Sequence, residues 1–129
     1  MNILQIDIAG GQTSFEPGDE IDLTLSWELE QAPESIELRL VWSTSGKGTT
    51  DLEIVQTVPF EFPSPRETRR TSITLPASPY SFSGKLITLQ WALELIAFPA
   101  EESTRQEIVM APAGTEVRLK TIETASSAL

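Results

Sequence analysis

The chain of 129 residues contains no cysteine and no histidine. Without cysteine there is no disulfide, no thiolate nucleophile and no cysteine-based zinc site. Without histidine, the Ser-His-Asp and Cys-His catalytic arrangements and histidine-metal sites cannot be assembled from this chain. We therefore predict that the protein is not an enzyme and has no cofactor.

Basic residues are also scarce. Nine Lys and Arg stand against 19 Asp and Glu, which gives a formal net charge of −10. Nucleic acids and anionic membrane surfaces both attract cationic side chains, so this composition disfavours both as partners. The acidic residues are spread along the chain, which indicates a solvated surface rather than a charged tail.

Long apolar segments are missing too. The longest one, "LITLQWALELIAF" at residues 86–98, is interrupted by Gln90 and Glu94 and is too short to span a bilayer. The opening residues, "MNILQIDIAGG", lack a positively charged start and reach Asp7 early, unlike a signal peptide. We expect a cytoplasmic protein without membrane insertion.

The strongest positive signal is an alternation of apolar and polar residues. It is clearest in "EIDLTLSWEL" (20–29), "SIELRLVWS" (35–43) and "KLITLQWALEL" (85–95). A period of two predicts strands with one buried and one solvated face, as in antiparallel sheets. Trp27, Trp42 and Trp91 fall on the apolar faces, so we predict that all three pack in a core between two sheets.

Weaker strand signals fill the remaining sequence, at residues 2–9, 53–62, 71–75, 106–110 and 115–122. The second of these carries Ile54, Val58, Phe60 and Phe62 at even positions, and we expect such alternate side chains to meet in the shared core between the sheets. Together the segments predict an all-β fold, a two-sheet antiparallel immunoglobulin-like β-sandwich of about seven or eight strands. We expect this domain to cover 1–123, followed by a short flexible tail at 124–129.

The "GKG" at residues 46–48 lies between two of these strands. A Walker phosphate-binding loop would need an earlier glycine where Val41 stands, Ser or Thr where Gly48 stands, and a following helix. The next residues, "TTDLEIV", favour a strand instead. The sequence therefore predicts a hairpin turn.

Arg66, Arg69 and Arg70 form the only basic cluster, in a predicted loop before a short strand. Such a cluster could bind a carboxylate or phosphate of a partner. Alternatively, these arginines pair with nearby acids such as Glu61 and Glu67, in exposed ion pairs that contribute little.

Tyr80 and Phe82 lie in a loop rich in Pro, Ser and Gly. They either fold back over one end of the sandwich or present an exposed anchor for a partner. If they are an anchor, changing both to Ala is expected to weaken partner capture while leaving the fold intact.

A ligand-binding function is the alternative. Acidic residues lie close together at 19–22 and 101–102, but calcium needs roughly six to eight converging oxygen ligands, and a solvated acidic rim is the simpler interpretation. A carbohydrate site would need tryptophans on the surface, which the alternation does not predict.

Two segments carry a resemblance to a known family. "SFEPGDEIDLTLSW" (14–27) resembles the opening motif of arrestin-like domains, in which an aromatic residue and Pro-Gly-acidic precede the second strand. "ITLPASPYSFSGKLITLQWALEL" (73–95) is similar to that family's later signature of Leu-Pro, a Ser-rich aromatic loop, a glycine and a long amphipathic strand. The resemblance covers residues 1–120.

This resemblance implies a β-sandwich that acts as a scaffold or adaptor without catalytic activity. Pro17, Gly18, Ser81 and Gly84 match the family's structural motif, and no residue matches a ligand-binding position. The family usually has two tandem sandwiches, whereas these 129 residues account for one, and the paired lysines of true arrestins have no counterpart.

We therefore predict a non-enzymatic adaptor or scaffold module that binds protein partners through a sheet edge or through end loops such as 78–84. The alternative is a carbohydrate- or calcium-binding β-sandwich module.

Overall fold

The structure is a computed structural model that describes residues 2–46, 48–84, 87–112 and 117–118. The regular structure of these residues is almost entirely β, with a 3₁₀ turn at Ala9–Gly11. The strands are β1 (Ile3–Ile8), β2 (Ser14–Phe15), β3 (Glu20–Glu28), β4 (Ser35–Gly46), β5 (Thr49–Glu61), β6 (Arg66–Thr74), β7 (Phe82–Ser83), β8 (Ile87–Phe98), β9 (Glu102–Met110) and β10 (Val117–Arg118). No bilayer-spanning helix occurs in this part of the chain.

The strands form two sheets. The smaller sheet is antiparallel in the order β1-β3-β6. In the larger sheet, β4 pairs with β5 on one side and with β8 on the other, and β8 also pairs with β7 and β9. All of these pairs are antiparallel; among the described strands, the parallel pairs are the short ones β2–β9 and β7–β10. The predicted all-β, two-sheet sandwich is confirmed.

The core lies between the two sheets and follows the predicted alternation. It includes alternate apolar residues of the long strands: Ile21, Leu23, Leu25, Ile36, Leu38, Leu40, Leu89, Leu93 and Leu95. Trp27 and Trp91 are buried, and Trp42 is partly buried against the same cluster. The predicted packing of the three indoles in one core is therefore confirmed.

Each buried indole also has a hydrogen-bond partner in a loop. The Trp27 Nε1–H donates to the Ser64 carbonyl at 2.9 Å, and the Trp91 Nε1–H donates to the Pro79 carbonyl at 2.8 Å. Because a buried donor without an acceptor is costly, these bonds fix the loops at 62–65 and 76–81 against the core.

A tight turn at Glu16–Asp19 leads into β3. Pro17 and Gly18 occupy its two central positions, and Gly18 has a φ of 85°, the pattern of a type II turn. The Asp19 N–H donates to the Glu16 carbonyl at 3.1 Å, and the Asp19 carboxylate accepts from the Glu16 N–H at 2.9 Å. The Pro-Gly-acidic motif thus closes a turn, and Asp19 is part of it.

The hairpin predicted at residues 46–48 is also present. Gly46 at the end of β4 pairs with Thr49 at the start of β5, and Gly48 has a φ of 87°, which favours glycine. Because a strand follows this turn, no helix N-terminus is available there to hold a phosphate.

β5 contains a β-bulge that changes which side chains face the core. Leu40 lies opposite Gln56 but Val41 lies opposite Ile54, so Val55 is an extra residue on β5. Because Ile54 pairs with Val41, which lies outside the core cluster, Ile54 is on the outer face of the sheet. Our prediction that Ile54 shares the buried face of this strand was wrong.

Val58 and Phe60, on the other side of the bulge, do pack against the core. Phe62 lies beyond the end of β5, where a φ of 49° takes it out of the strand, and 87% of it is exposed. The prediction for Phe62 was wrong as well.

Other boundaries also differ from the prediction. β6 is longer than the expected strand at 71–75, and the two-residue strands β2 and β7 were not expected. Of the strand expected at 115–122, only β10 is described. The domain boundary at residue 123 and the tail at 124–129 lie outside the described residues.

Candidate protein-interaction surface

One edge of the large sheet is open. Among the described strands, β5 pairs only with β4, so its other side has no neighbour. Every second N–H and C=O group of such a strand points away from the sheet and can pair with another chain. The bulge at Val55 and the proline at Pro59 interrupt the second half of this edge. We call the uninterrupted part, residues 49–54, the open edge segment.

The outer face of the open edge segment is apolar. Leu52 is 58% exposed and Ile54 is 45% exposed. Ile54 lies beside Val41 of β4, which in turn lies beside Ala92 of β8, and both of these are fully buried. An apolar row therefore runs from the middle of the sheet to its edge, where it ends in exposed side chains.

The opposite face of the open edge segment is acidic. Asp51 pairs with Thr44 and Glu53 pairs with Trp42, and both carboxylates are exposed. No Lys or Arg occurs anywhere in residues 49–61. The segment thus presents an apolar row on one face and a negatively charged row on the other.

The three predicted arginines lie in β6, not in a loop, so our prediction of a loop was wrong. In β6, Arg69 shares the inner face with Ile73, whereas Arg66 and Arg70 point to the outer face. Arg66 forms an exposed ion pair with its cross-strand neighbour Glu28, at 2.6 Å. Arg70 is exposed and forms no ion pair with a described residue. The structure therefore does not bring the three guanidinium groups together.

Arg69 belongs to a small polar cluster beneath the loop at 62–65. Its guanidinium pairs with Glu67 and lies 5.5 Å from the centre of the Phe60 ring. The Ser64 N–H donates to the Glu67 carboxylate at 2.8 Å, and this bond, followed by the one from Arg69, lowers the pKa of Glu67 below its usual value of 4.5. The pairing of Arg69 with Glu67 was one of the two interpretations left open by the sequence.

Tyr80 and Phe82 have different environments. Tyr80 is 42% exposed, whereas Phe82 packs against the core cluster. Between them, Ser81 is fully buried and is bonded to Met110 through both its backbone and its hydroxyl group. Phe82 thus folds back onto the sandwich, as one of the two interpretations had it, whereas Tyr80 is partly exposed and its role as an anchor for a partner stays a prediction. Because Phe82 packs against the core cluster, we now expect the double change to Ala to destabilise the fold as well as to affect any partner.

A shallow cleft of about 260 Å³ lies at one end of the sandwich, between the loop at 29–33 and the turn at 97–100. Its lining includes Leu29, Phe98 and Pro99. The side chain of Asn2 also lines it, but its amide already donates to Glu102 at 2.7 Å. Glu30, Gln31 and Glu102 also line the cleft, and the Asn2 side-chain oxygen accepts a hydrogen bond from the Glu30 N–H at 2.8 Å.

The ligand-binding alternative requires converging carboxylates or exposed tryptophans. Within the described residues, no three acidic side chains lie close enough together to hold a metal ion. Trp27 and Trp91 are buried with their N–H groups bonded to carbonyls, so neither offers a stacking surface for a sugar ring.

These features define a class of protein: a two-layer β-sandwich in which an edge strand of the large sheet, β5, is apolar on one face and acidic on the other. Its fold is similar to that of Spo0M, a sporulation control protein from Bacillus subtilis, with a TM-score of 0.64 and 15% sequence identity. The match covers 86% of this chain and 49% of Spo0M, so the chain spans about half the length of that protein. This likeness supports a distant arrestin-like fold.

A β-glucosidase from Listeria innocua also matches, with a TM-score of 0.45 and 10% identity over 90% of this chain and 16% of the enzyme. A likeness of that size carries no functional argument. No protein-family model matches the chain, and no curated protein matches its sequence.

Proposed function

We propose that this chain is a non-enzymatic protein-interaction module of adaptor or scaffold type, and that a partner docks by adding a strand to the open edge segment of β5. The observation that carries this proposal is the combination of unpaired backbone with exposed Leu52 and Ile54 in one short stretch. Strand addition uses main-chain hydrogen bonds for affinity and side-chain contacts for specificity.

The energetics favour an occupied edge. Complete burial of a Leu or Ile side chain stabilises by about 1.5–3 kcal/mol, so covering the exposed half of Leu52 and of Ile54 contributes about 1 kcal/mol each. Each backbone hydrogen bond adds about 1 kcal/mol net. Natural proteins usually protect such edges with charged residues, prolines or bulges. Here the bulge and Pro59 interrupt the second half, whereas the first half carries the charges of Asp51 and Glu53 on one face and leaves its apolar face exposed.

The absence of His and Cys from the sequence supports a function without catalysis. The likeness to Spo0M supports the fold on which the proposal rests and nothing about partners. A cytoplasmic location and a protein partner, as opposed to nucleic acid or membrane lipid, stay predictions from the sequence.

The experiment compares cross-linked pull-downs from the native lysate using the wild type and matched variants. The edge variant is Leu52→Ser with Ile54→Ser. The control is Ile3→Ser with Ile87→Ser, which changes two other strand residues of similar exposure, 45% and 50%. We expect the edge variant to lose partners that the wild type and the control both recover.

A third variant, Tyr80→Ala, tests the end loop. If it loses the partners and the edge variant keeps them, docking occurs at 78–84 and not at β5. If all variants recover the same proteins as the wild type, neither surface is the docking site and the proposal fails.

A further inference from the structure

The chemistry of the open edge segment also defines its partner, provided that the proposed function is correct. We propose that the partner is a different chain that supplies a short extended segment in which apolar and basic residues alternate. The observation behind this proposal is the register of β5, which places Leu52 and Ile54 on one face and Asp51 and Glu53 on the other.

An added strand runs about 4.8 Å from its neighbour, and its side chains point alternately to the two faces of the sheet. Side chains directly opposite each other on neighbouring strands lie about 5 Å apart, close enough for packing or ion pairing. The residues of the partner on the outer face therefore contact Leu52 and Ile54, and those on the inner face contact Asp51 and Glu53. Apolar residues fit the first row, and Lys or Arg fits the second.

A second copy of this chain does not fit. Residues 49–61 contain no Lys or Arg, and the whole chain carries a net charge of −10. If two open edge segments paired with their apolar rows on the same face, Asp51 and Glu53 of one copy would lie beside the same carboxylates of the other. Like charges opposite each other destabilise strand pairing, so charge favours a basic partner over self-association.

The length of the partner segment is also limited. The hairpin turn at Gly48 ends the open edge segment on one side, and the extra residue Val55 ends it on the other. About six residues can therefore pair in a regular ladder, close to the usual length of a strand in a sheet.

The test uses synthetic eight-residue peptides and NMR titration of the ¹⁵N-labelled full chain, which reports both the affinity and the residues that respond. One peptide alternates Val and Lys, the second alternates Val and Glu, and the third is the Val/Lys peptide with N-methyl groups that block its backbone donors. The protein variants are Asp51→Lys with Glu53→Lys, and the edge variant Leu52→Ser with Ile54→Ser. All four substituted side chains are exposed, and circular dichroism checks that each variant is folded.

For the wild type, we expect the Val/Lys peptide to bind at residues 49–54 about ten-fold or more tightly than the Val/Glu peptide. We expect this preference to reverse in Asp51→Lys with Glu53→Lys. The N-methylated peptide and the edge variant should each lose binding, because strand addition needs both backbone pairing and apolar contact.

The outcomes separate the inference from the proposed function. If the Val/Lys and Val/Glu peptides bind residues 49–54 equally well, the inference is wrong but docking at the edge stands. If the Val/Lys peptide binds elsewhere on the protein, or if its N-methylated form binds equally well, the attraction is only that of a cation for an acidic surface and the inference is wrong. If no peptide binds, both the inference and docking at the open edge are overturned.

Discussion

Replacing Ser81 with alanine tests a single hydrogen bond in the core. Ser81 is fully buried, and its Oγ accepts a hydrogen bond from the backbone N–H of Met110 at 3.0 Å. The Ser81 N–H separately donates to the Met110 carbonyl at 2.7 Å. Alanine keeps the second bond and removes the first, so the Met110 N–H remains buried without an acceptor.

An unpaired buried donor costs about 1–3 kcal/mol. The cavity left by one oxygen atom adds little, because the alanine keeps the Cβ in place. For a chain of 129 residues, this loss corresponds to a fall in Tm of about 4–12 °C.

Urea unfolding followed by tryptophan fluorescence measures this loss. We expect a lower midpoint with an unchanged m-value, because the folded and unfolded surfaces stay the same. The control is Ser103→Ala on β9, where the side chain is exposed and the expected change is within about 0.5 kcal/mol. If Ser81→Ala unfolds at the wild-type midpoint, then Met110 does not depend on the Ser81 hydroxyl group, and our account of how the loop at 76–84 is attached is wrong.

Four further substitutions have expected outcomes. Phe82→Ala should destabilise the fold by about 2–4 kcal/mol because it removes contacts with the core cluster, whereas Tyr80→Ala, at a side chain that is 42% exposed, should cost about 1 kcal/mol. Equal effects in urea unfolding would contradict the different environments of the two residues. The lowered pKa of Glu67 gives stability that is present above its unfolded pKa and is lost as the pH falls through its folded pKa. Glu67→Gln should therefore lose less stability than the wild type between about pH 5 and pH 3. Parallel profiles of unfolding free energy against pH would refute this. Trp42→Phe should remove most of the emission that acrylamide quenches, because the other two indoles are buried; unchanged quenching would place the accessible indole elsewhere.

The alternation of apolar residues was sufficient to predict the central strands. In β3 and β8, every second side chain faces the other sheet, so a period of two in the sequence translates directly into burial. The burial of Trp27 and Trp91 follows from the same rule. The Pro-Gly turn before β3 and the glycine turn before β5 were also predictable, because positive φ angles there favour glycine.

The position of Ile54 could not be predicted in the same way. A bulge adds one residue to a strand, and after it every side chain moves to the other face. Whether a bulge forms depends on how β5 pairs with β4, and local sequence does not contain that information. The edge strand β6 was hard to recognise for a related reason. Most of its residues are polar, and among its side chains only Ile73 is buried.

The sequence predicted the type of docking surface but not its location. A sheet edge was expected as a docking site. Because Ile54 was expected in the core, however, the sequence did not indicate that β5 forms this edge. The signal that could have identified it is the alternation of acidic and apolar residues at 51–54, directly after a two-residue turn. Tyr80 and Phe82 could not be separated by sequence, because their opposite environments depend on how Ser81 bonds to Met110.

Amide hydrogen exchange on the unbound protein would measure most directly whether the outer side of β5 is unoccupied. Protection factors at residues 49–54 are compared with those at residues 91–95 of β8, which has a strand on each side. We expect every residue tested in β8 to exchange slowly, and alternate amides at 49–54 to exchange orders of magnitude faster. Protection at 49–54 as strong and as uniform as in β8 would mean that the strand is already covered, which would contradict the proposed docking site.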